Sequence, residues 1–359
     1  MKVFLVSNIY PSKDHPDYGV FVKNFRTSLE ELGVKFPNPS LLLGRSKGIQ
    51  KIGSYFFHYL RIFKTYFKND FDIIYIHFIS HNAPIFYGIL WLFAKKAPIV
   101  VNVHGSDVIS YNHGLYRFFN TYLLKKTDLV VVPSNYFLNQ VFQKFPFLEM
   151  DKIFINPSGG IDLDRFYPMN TLQKDETLTL GFVSRIDDGK GWGDFIKVVA
   201  RIKRKGINVK GIMVGTGSQV KEMLAQIKDE TVSEEIHYAG VVDQKKLVHL
   251  YNQMDIFIFP STREAESLGL VGLEAMACGI PIIAFNKAGA KTYTQDGENG
   301  FLCTPGNIDE IEQKVILFNN LKQFEKDKIK INAIDTANKF GKGSTAEKML
   351  KRLKTLESL

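Results

Sequence analysis

Pro260-Ser-Thr-Arg-Glu-Ala-Glu-Ser-Leu-Gly-Leu-Val-Gly-Leu-Glu-Ala-Met-Ala-Cys-Gly279-Ile-Pro281 reads as the turn and helix that join one buried strand to the next. The apolar run at 256–259 precedes it and the run at 282–285 follows it. Both runs are continuous rather than alternating, as expected of strands covered by helices on each face of a parallel sheet. Glu266 falls before the helix and Glu274 inside it. Ser267 and Gly269 keep the turn small, so main-chain N–H groups at the helix start can approach an anion. A carboxylate beside such a site suits the vicinal hydroxyls of a ribose or a hexose.

The same strand-then-helix pattern runs outward in both directions. A first series of short apolar runs lies at 2–6, 72–77, 99–104, 129–132 and 153–156, and a second at 178–183, 209–214, 236–239, 256–259, 282–285 and 301–303. Each series predicts one parallel sheet, so the chain is α/β with two doubly wound, Rossmann-like domains. Between them, residues 156–176 carry Pro157, Gly159, Gly160 and Pro168 with little periodicity, which marks the boundary. The expected domains are 1–165 and 166–340, with a C-terminal helix at about 341–359 packing back on the first. Open α/β sheets bind ligands beyond the carboxyl ends of their strands, so site residues are sought there.

Length and composition agree with two folded domains: 359 residues, 45% apolar and 23% charged, inside the globular range. The opening apolar run is too short for a secretory signal, and the longest one, 83–94, ends at Lys95 and Lys96, well short of the ~20 residues that span a bilayer. Cys278 and Cys303 belong to no metal-like cluster and suit a reduced, cytoplasmic setting as small buried hydrophobes. The net charge of +9 points to an anionic partner; nucleic acid is not favoured, because none of the common reader motifs is present. Aromatic and basic residues interleave at 54–68 and at 116–126, both helical in pattern. For the first, two readings stay open: an interfacial helix whose Arg61, Lys64 and Lys68 meet anionic lipid, or an aromatic face packed on the core with a solvated basic edge. For the second, core packing is favoured.

Gly181-Phe-Val-Ser-Arg-Ile-Asp-Asp-Gly-Lys-Gly191 follows the first strand of the second series and leads into a helix near Trp192. Arg185 and Lys190 beside a helix start suit the two charges of a pyrophosphate. In the first half, His104-Gly-Ser-Asp107 sits at a strand carboxyl end, with Asp107 placed to orient His104 or bind acceptor, and His77 and His81 follow a neighbouring strand. The carboxylate pairs Asp70/Asp72, Asp162/Asp164 and Asp187/Asp188 read as structural rather than as metal ligands.

Taken together these residues resemble the family 4 (group 1) glycosyltransferases of GT-B fold, in which two Rossmann-like domains face each other across a cleft. Glu266 and Glu274 match that family's E-x7-E motif, and the Gly19 loop, His104–Asp107, the linker Asn156-Pro-Ser-Gly-Gly-Ile-Asp162, Arg185 with Lys190, and Asp296-Gly-Glu-Asn-Gly300 follow in the family's order. The resemblance implies a retaining, metal-independent transferase without cofactor. It places Arg185 and Lys190 on the donor diphosphate, Glu274 on the ribose, and Glu266 on the donor sugar. The amides of Leu268, Gly269 and Leu270 would complete the phosphate cradle, Gly19 would approach the diphosphate, and His104 would face the transferred sugar. It also implies a UDP-sugar more than a GDP-sugar, a lipid-linked saccharide acceptor in cell-surface polysaccharide assembly, and work at the inner face of a membrane. Ala288 and Thr292 depart from the family pattern, where a glycine and a glutamate are common. The alternatives are a subunit that binds a sugar nucleotide without turning it over, and a sugar-nucleotide epimerase of the same fold.

Overall fold

The computed structural model describes residues 1–15, 18–110, 113–157, 159–169 and 176–357. They form two compact units, Met1–Gly160 with Lys342–Leu359, and Ile161–Gly341. The first carries strands β1 (Val3–Tyr10), β2 (Ser40–Leu43), β3 (Ile73–His77), β4 (Ile99–Asn102), β5 (Leu129–Val132) and β6 (Ile153–Ile155). They pair in parallel in the order β2-β1-β3-β4-β5-β6. Alternate residues of each strand serve opposite faces. Phe4, Val6, Ile74, Ile76 and Val101 meet Ile62, Tyr66 and Phe86 on one side. Val3, Leu5, Ile73, Tyr75 and Val100 meet Phe25, Leu29, Met349 and Leu353 on the other. Both faces are therefore dry, which explains the unbroken apolar runs. Met349 and Leu353 belong to the last helix, Lys342–Glu357, which closes the second face.

The second unit carries β7 (Leu178–Val183), β8 (Val209–Val214), β9 (Ile236–Gly240), β10 (Ile256–Phe259), β11 (Ile282–Phe285) and β12 (Gly300–Cys303). Its order is β12-β11-β10-β7-β8-β9, again all parallel. Cys278 and Cys303 are free and buried.

One feature differs from the reading of the sequence. β2 has no counterpart in the first series of runs, because it is four residues long and lies directly after Pro37-Asn-Pro39 at the sheet edge. The two compact units divide after Gly160, within the stretch 156–176 expected to hold the boundary. Ile161 donates its N–H to Phe340 O at 2.9 Å, and Phe166 is buried against Tyr251, ring to ring at 5.8 Å, so this stretch packs into the second unit.

The strand order reverses between β1 and β3 in the first sheet and between β7 and β10 in the second. At such a switch point neighbouring helices depart to opposite faces and leave a crevice at the strand carboxyl ends. Residues 184–191 and 260–269 follow β7 and β10. Gly19 and Phe78 follow β1 and β3.

Candidate active site

In the second unit the two switch-point loops are tied together by their backbones. Thr262 N donates to Gly189 O at 3.0 Å, and Ser261 Oγ donates to the same carbonyl at 3.3 Å. This contact brings the Lys190 ammonium onto the Glu266 carboxylate, both side chains largely buried. Ser261 Oγ lies 3.3 Å from the same carboxylate oxygen. Gly191 caps the helix Trp192–Arg204 at φ 80°, and a Cβ there would stand 2.2 Å from Pro260 O, so no other residue lets the loops approach this closely. Arg185 stands on the same loop with its guanidinium 2.9 Å from Asp187, whose own carboxyl is held low chiefly by the Ser218 N–H.

Gly269 opens the helix Leu270–Ala277, also in the left-handed region at φ 79°. A Cβ there would meet the Phe259 ring at 2.6 Å, and Tyr293 Oη donates to Gly269 O at 2.9 Å. The first amides of a helix have no intrahelical acceptor, so the Leu270 end of this helix supplies main-chain donors. Leu268 is buried and packs on Gly289, whose N–H donates to Glu266 O at 2.9 Å. Glu274, one turn into the helix, accepts from Tyr251 Oη at 3.2 Å, and burial pushes its pKa up to about 7. Burial, then the charges of Glu266 and Glu274, raise the Tyr293 phenol well above its ordinary value. The structure therefore gathers Lys190, Glu266, Glu274, Leu268, Gly269 and Leu270, with Arg185 at the exposed end.

In the first unit His77 and His104 meet at the ends of β3 and β4, His77 Nδ1 to His104 Nε2 at 2.8 Å. His104 stacks on Phe78 at 4.6 Å and lies 4.7 Å from the Phe21 ring. Burial lowers the His104 pKa to about 3 and that of His77 well below its ordinary value. Both rings are neutral. Asp107 is buried, and its carboxylate accepts from the N–H groups of His104 at 2.9 Å, Gly105 at 3.0 Å and Ile79 at 3.3 Å. These bonds fix the backbone of the His104 turn. Gly19 adopts φ 80° as the cap of the helix Val20–Glu31, and a Cβ there would stand 2.9 Å from the Ile9 carbonyl. His81 lies apart from the histidine pair, between the rings of Tyr55 and Tyr116 at 5.9 and 5.8 Å.

Among the described residues, no group of three or more His, Cys, Asp or Glu side chains is arranged to hold a metal ion. Asp70 and Asp72 are taken up by Lys2, and Asp162 by Arg165.

Residues 17–165 match the family model for Glycosyltransferase Family 4, and residues 166–335 match that for Glycosyl transferases group 1. The chain is a glycosyltransferase of the GT-B fold. Among curated relatives it is 25% identical over 262 residues to the N-acetyl-alpha-D-glucosaminyl L-malate synthase of Bacillus anthracis, covering 69% of this chain and 65% of that one. It is 25% identical over 225 residues to the capsular polysaccharide biosynthesis glycosyltransferase CapM of Staphylococcus aureus, covering 56% of each. The match thus spans about two thirds or less of these relatives. Among solved structures, Anabaena Alr3699/HepE in complex with UDP superposes with a TM-score of 0.77 over 99% of this chain and 100% of that one, at 19% identity. At this identity the likeness is one of fold.

The two positions expected to depart from the family pattern are Ala288 and Thr292, which flank Gly289, the residue packed on Leu268. Ala288 is buried and keeps φ 57°, the left-handed backbone that a glycine would adopt freely. Thr292 buries a hydroxyl that has no hydrogen-bond partner. The sequence missed Ser261, Tyr251 and Tyr293. Ser261 was findable, since it stands just past the carboxyl end of β10. Tyr251 and Tyr293 carry no local signal, because each reaches the motif from a distant element through its phenol.

Proposed function

We propose that this protein transfers a sugar, with retention of configuration, from a UDP-sugar held by the second unit to a saccharide acceptor bound on the first. The observation that carries the reading is the meeting of Lys190 with Glu266 at the β7/β10 switch point, beside two glycine-capped helix starts. Breaking the bond from the anomeric carbon to the diphosphate oxygen sends the electron pair to the phosphate and leaves positive charge on the sugar. Arg185, Lys190 and the amides of Leu268, Gly269 and Leu270 stabilise the first charge. Glu274 accepts from the ribose hydroxyls and Glu266 from the sugar. The acceptor oxygen attacks from the face the diphosphate leaves, and its proton passes to the departing phosphate oxygen, so no protein nucleophile is needed. With donor bound, Lys190 exchanges part of its contact with Glu266 for phosphate. The family resemblance assigns Gly19 to the diphosphate and His104 to the transferred sugar, and of the two His104 nitrogens Nε2 is taken by His77, which leaves Nδ1 for that role.

UDP is supported by the fold shared with Alr3699/HepE, which has been solved with UDP and with UDP-glucose. A polysaccharide product is supported by the likeness to CapM. A lipid-linked acceptor at an anionic membrane is supported by the helix Gly48–Lys68. His58, Ile62, Thr65 and Tyr66 face inward, while Ile49, Ile52, Phe56, Phe57, Leu60, Phe63 and Phe67 are exposed. At ~100° per residue those seven fall within an arc of roughly 140°. Arg61, Lys64 and Lys68 flank them, and the helix holds no Asp or Glu. Phe67 meets Phe93 at 4.8 Å and Lys96 at 5.1 Å, extending the surface toward exposed Trp91 and Leu92. Aromatic rings beside unopposed cations are what an anionic headgroup layer takes up.

The test is a thermal-shift screen against UDP, GDP and their common sugar conjugates, followed by assay of nucleotide release. Selective stabilisation by UDP and one UDP-sugar, with slow release of UDP, is expected. Indifference to every nucleoside diphosphate would sink the reading, whereas binding without release would favour the non-catalytic subunit. EDTA is expected to leave the rate unchanged, and strong inhibition would give a metal a role.

A further inference from the structure

A buried chain of polar side chains runs beneath the His104 turn. Asn82, fully buried in the helix Ile79–Leu92, donates from Nδ2 to His77 O at 3.0 Å and to Phe78 O at 2.8 Å. Carbonyls only accept, so both amide hydrogens are committed and Oδ1 is left as an acceptor. It faces His58 Nε2 at 2.9 Å, which must therefore carry the proton, and His58 Nδ1 then accepts from Ser40 Oγ at 2.8 Å. Burial lowers the His58 pKa to about 4, in keeping with this neutral tautomer. Each donor in the chain has an acceptor, the condition under which a buried polar network is rigid.

The two carbonyls that Asn82 holds belong to the two residues that hold His104. His77 is bonded to its Nε2, and Phe78 is stacked on its ring. Phe78 adopts φ 63°, a left-handed conformation that an aromatic residue keeps only when its surroundings impose it. We propose that Asn82 is a positioning residue of the glycosyltransferase: its amide locks the 77–78 turn and thereby fixes the orientation and tautomer in which His104 presents Nδ1 to substrate. This rests on the reading that His104 faces the transferred sugar.

The test compares Asn82→Ala and Asn82→Asp, the latter keeping the shape while losing both donors. UDP release is assayed with UDP-glucose and UDP-N-acetylglucosamine, and the imidazole nitrogens are read by ¹⁵N NMR. Both variants should lose at least tenfold in kcat with KM for the donor within threefold, and should keep the thermal shift with UDP. The His104 nitrogen signals should move from those of one fixed tautomer toward averaged values. Folded variants with wild-type kcat and unmoved His104 signals would overturn the proposal, as would lost kcat with unmoved signals. If the wild-type protein releases no UDP from either donor, the transferase reading fails instead, and the nitrogen signals alone decide on the clamp.

Discussion

The two units share a six-stranded parallel sheet and differ in what they place at its carboxyl edge and on its outside. In the second, the switch-point loops carry Arg185, Lys190 and Glu266, with Glu274 behind them. In the first, the corresponding ends carry neutral His77 and His104 among the rings of Phe21 and Phe78. Outside, the exposed large apolar side chains among the described residues of the second unit are Tyr167, Leu224, Val241, Leu317, Phe324 and Ile331, scattered singly along the chain. The first concentrates seven on the helix Gly48–Lys68 alone. On the function proposed above, one scaffold serves a charged nucleotide in one unit, and an uncharged hydroxyl ligand and a lipid surface in the other. The strand order positions both sites, and the side chains at the strand ends decide the chemistry.

The sharpest break of that contrast is by substitution at the two sites. Lys190→Ala should lower UDP release on the order of a hundredfold, the size expected when a preorganised charge at a leaving group is removed. Glu274→Ala should cost more than tenfold, and both variants should melt close to the wild type. Glu266→Ala added to Lys190→Ala should cost less than the product of the two single losses, because the residues act as one contact. His104→Ala should lose turnover yet keep the thermal shift with UDP. If it lost that shift as well, the division of labour between the units would be wrong.

A smaller effect separates the two outer surfaces. Changing Phe56, Phe63 and Phe67 together to Ser should reduce flotation with phosphatidylglycerol vesicles by about tenfold or more, since each ring forfeits part of the ~1.5–3 kcal/mol of a buried apolar side chain. The same change at Leu224 and Phe324 should leave flotation as it was. Wild-type binding should also weaken with salt. Binding indifferent to salt and to these substitutions would remove the membrane from the account.

How much of this was legible in the sequence follows the range of each interaction. Strands buried on both faces announce themselves as apolar runs, so the alternation and both sheets could be read along the chain, while β2, four residues at an edge after two prolines, could not. The Glu266 and Glu274 spacing and the Lys190 loop are local patterns. Gly191 and Gly269 are legible as glycines, but only the fold shows that Pro260 and Phe259 forbid anything larger. Asn82 reads as a polar break in an apolar helix. Its partners His58 and Ser40 stand 24 and 18 residues from their neighbours in the hydrogen-bond chain, and no local pattern links them.

The smallest effect expected is the opposite response of the units to pH. In the first, His58, His77 and His104 all have folded-state pKa values below their ordinary one. The unfolded chain binds more protons there, so stability is lost as pH falls below about 6.5, with Asp107, raised to about 6, opposing in part. In the second, Glu274 is raised to about 7 and Asp194 is also raised, both mainly by burial. The folded form then binds more protons between about pH 4.5 and 7, and stability falls as pH rises through that window. Each unit holds one of the two tryptophans, Trp91 and Trp192, so Trp91→Phe and Trp192→Phe give a separate fluorescence reporter for each. From pH 7 to pH 5 the urea midpoint read by Trp91 should fall, while that read by Trp192 should hold or rise slightly. Glu274→Gln should flatten the second response and raise melting at pH 8 by about 2–4 °C, even as it disables the enzyme. Equal shifts at both tryptophans would mean that the buried histidines and Glu274 do not titrate in separate folding units.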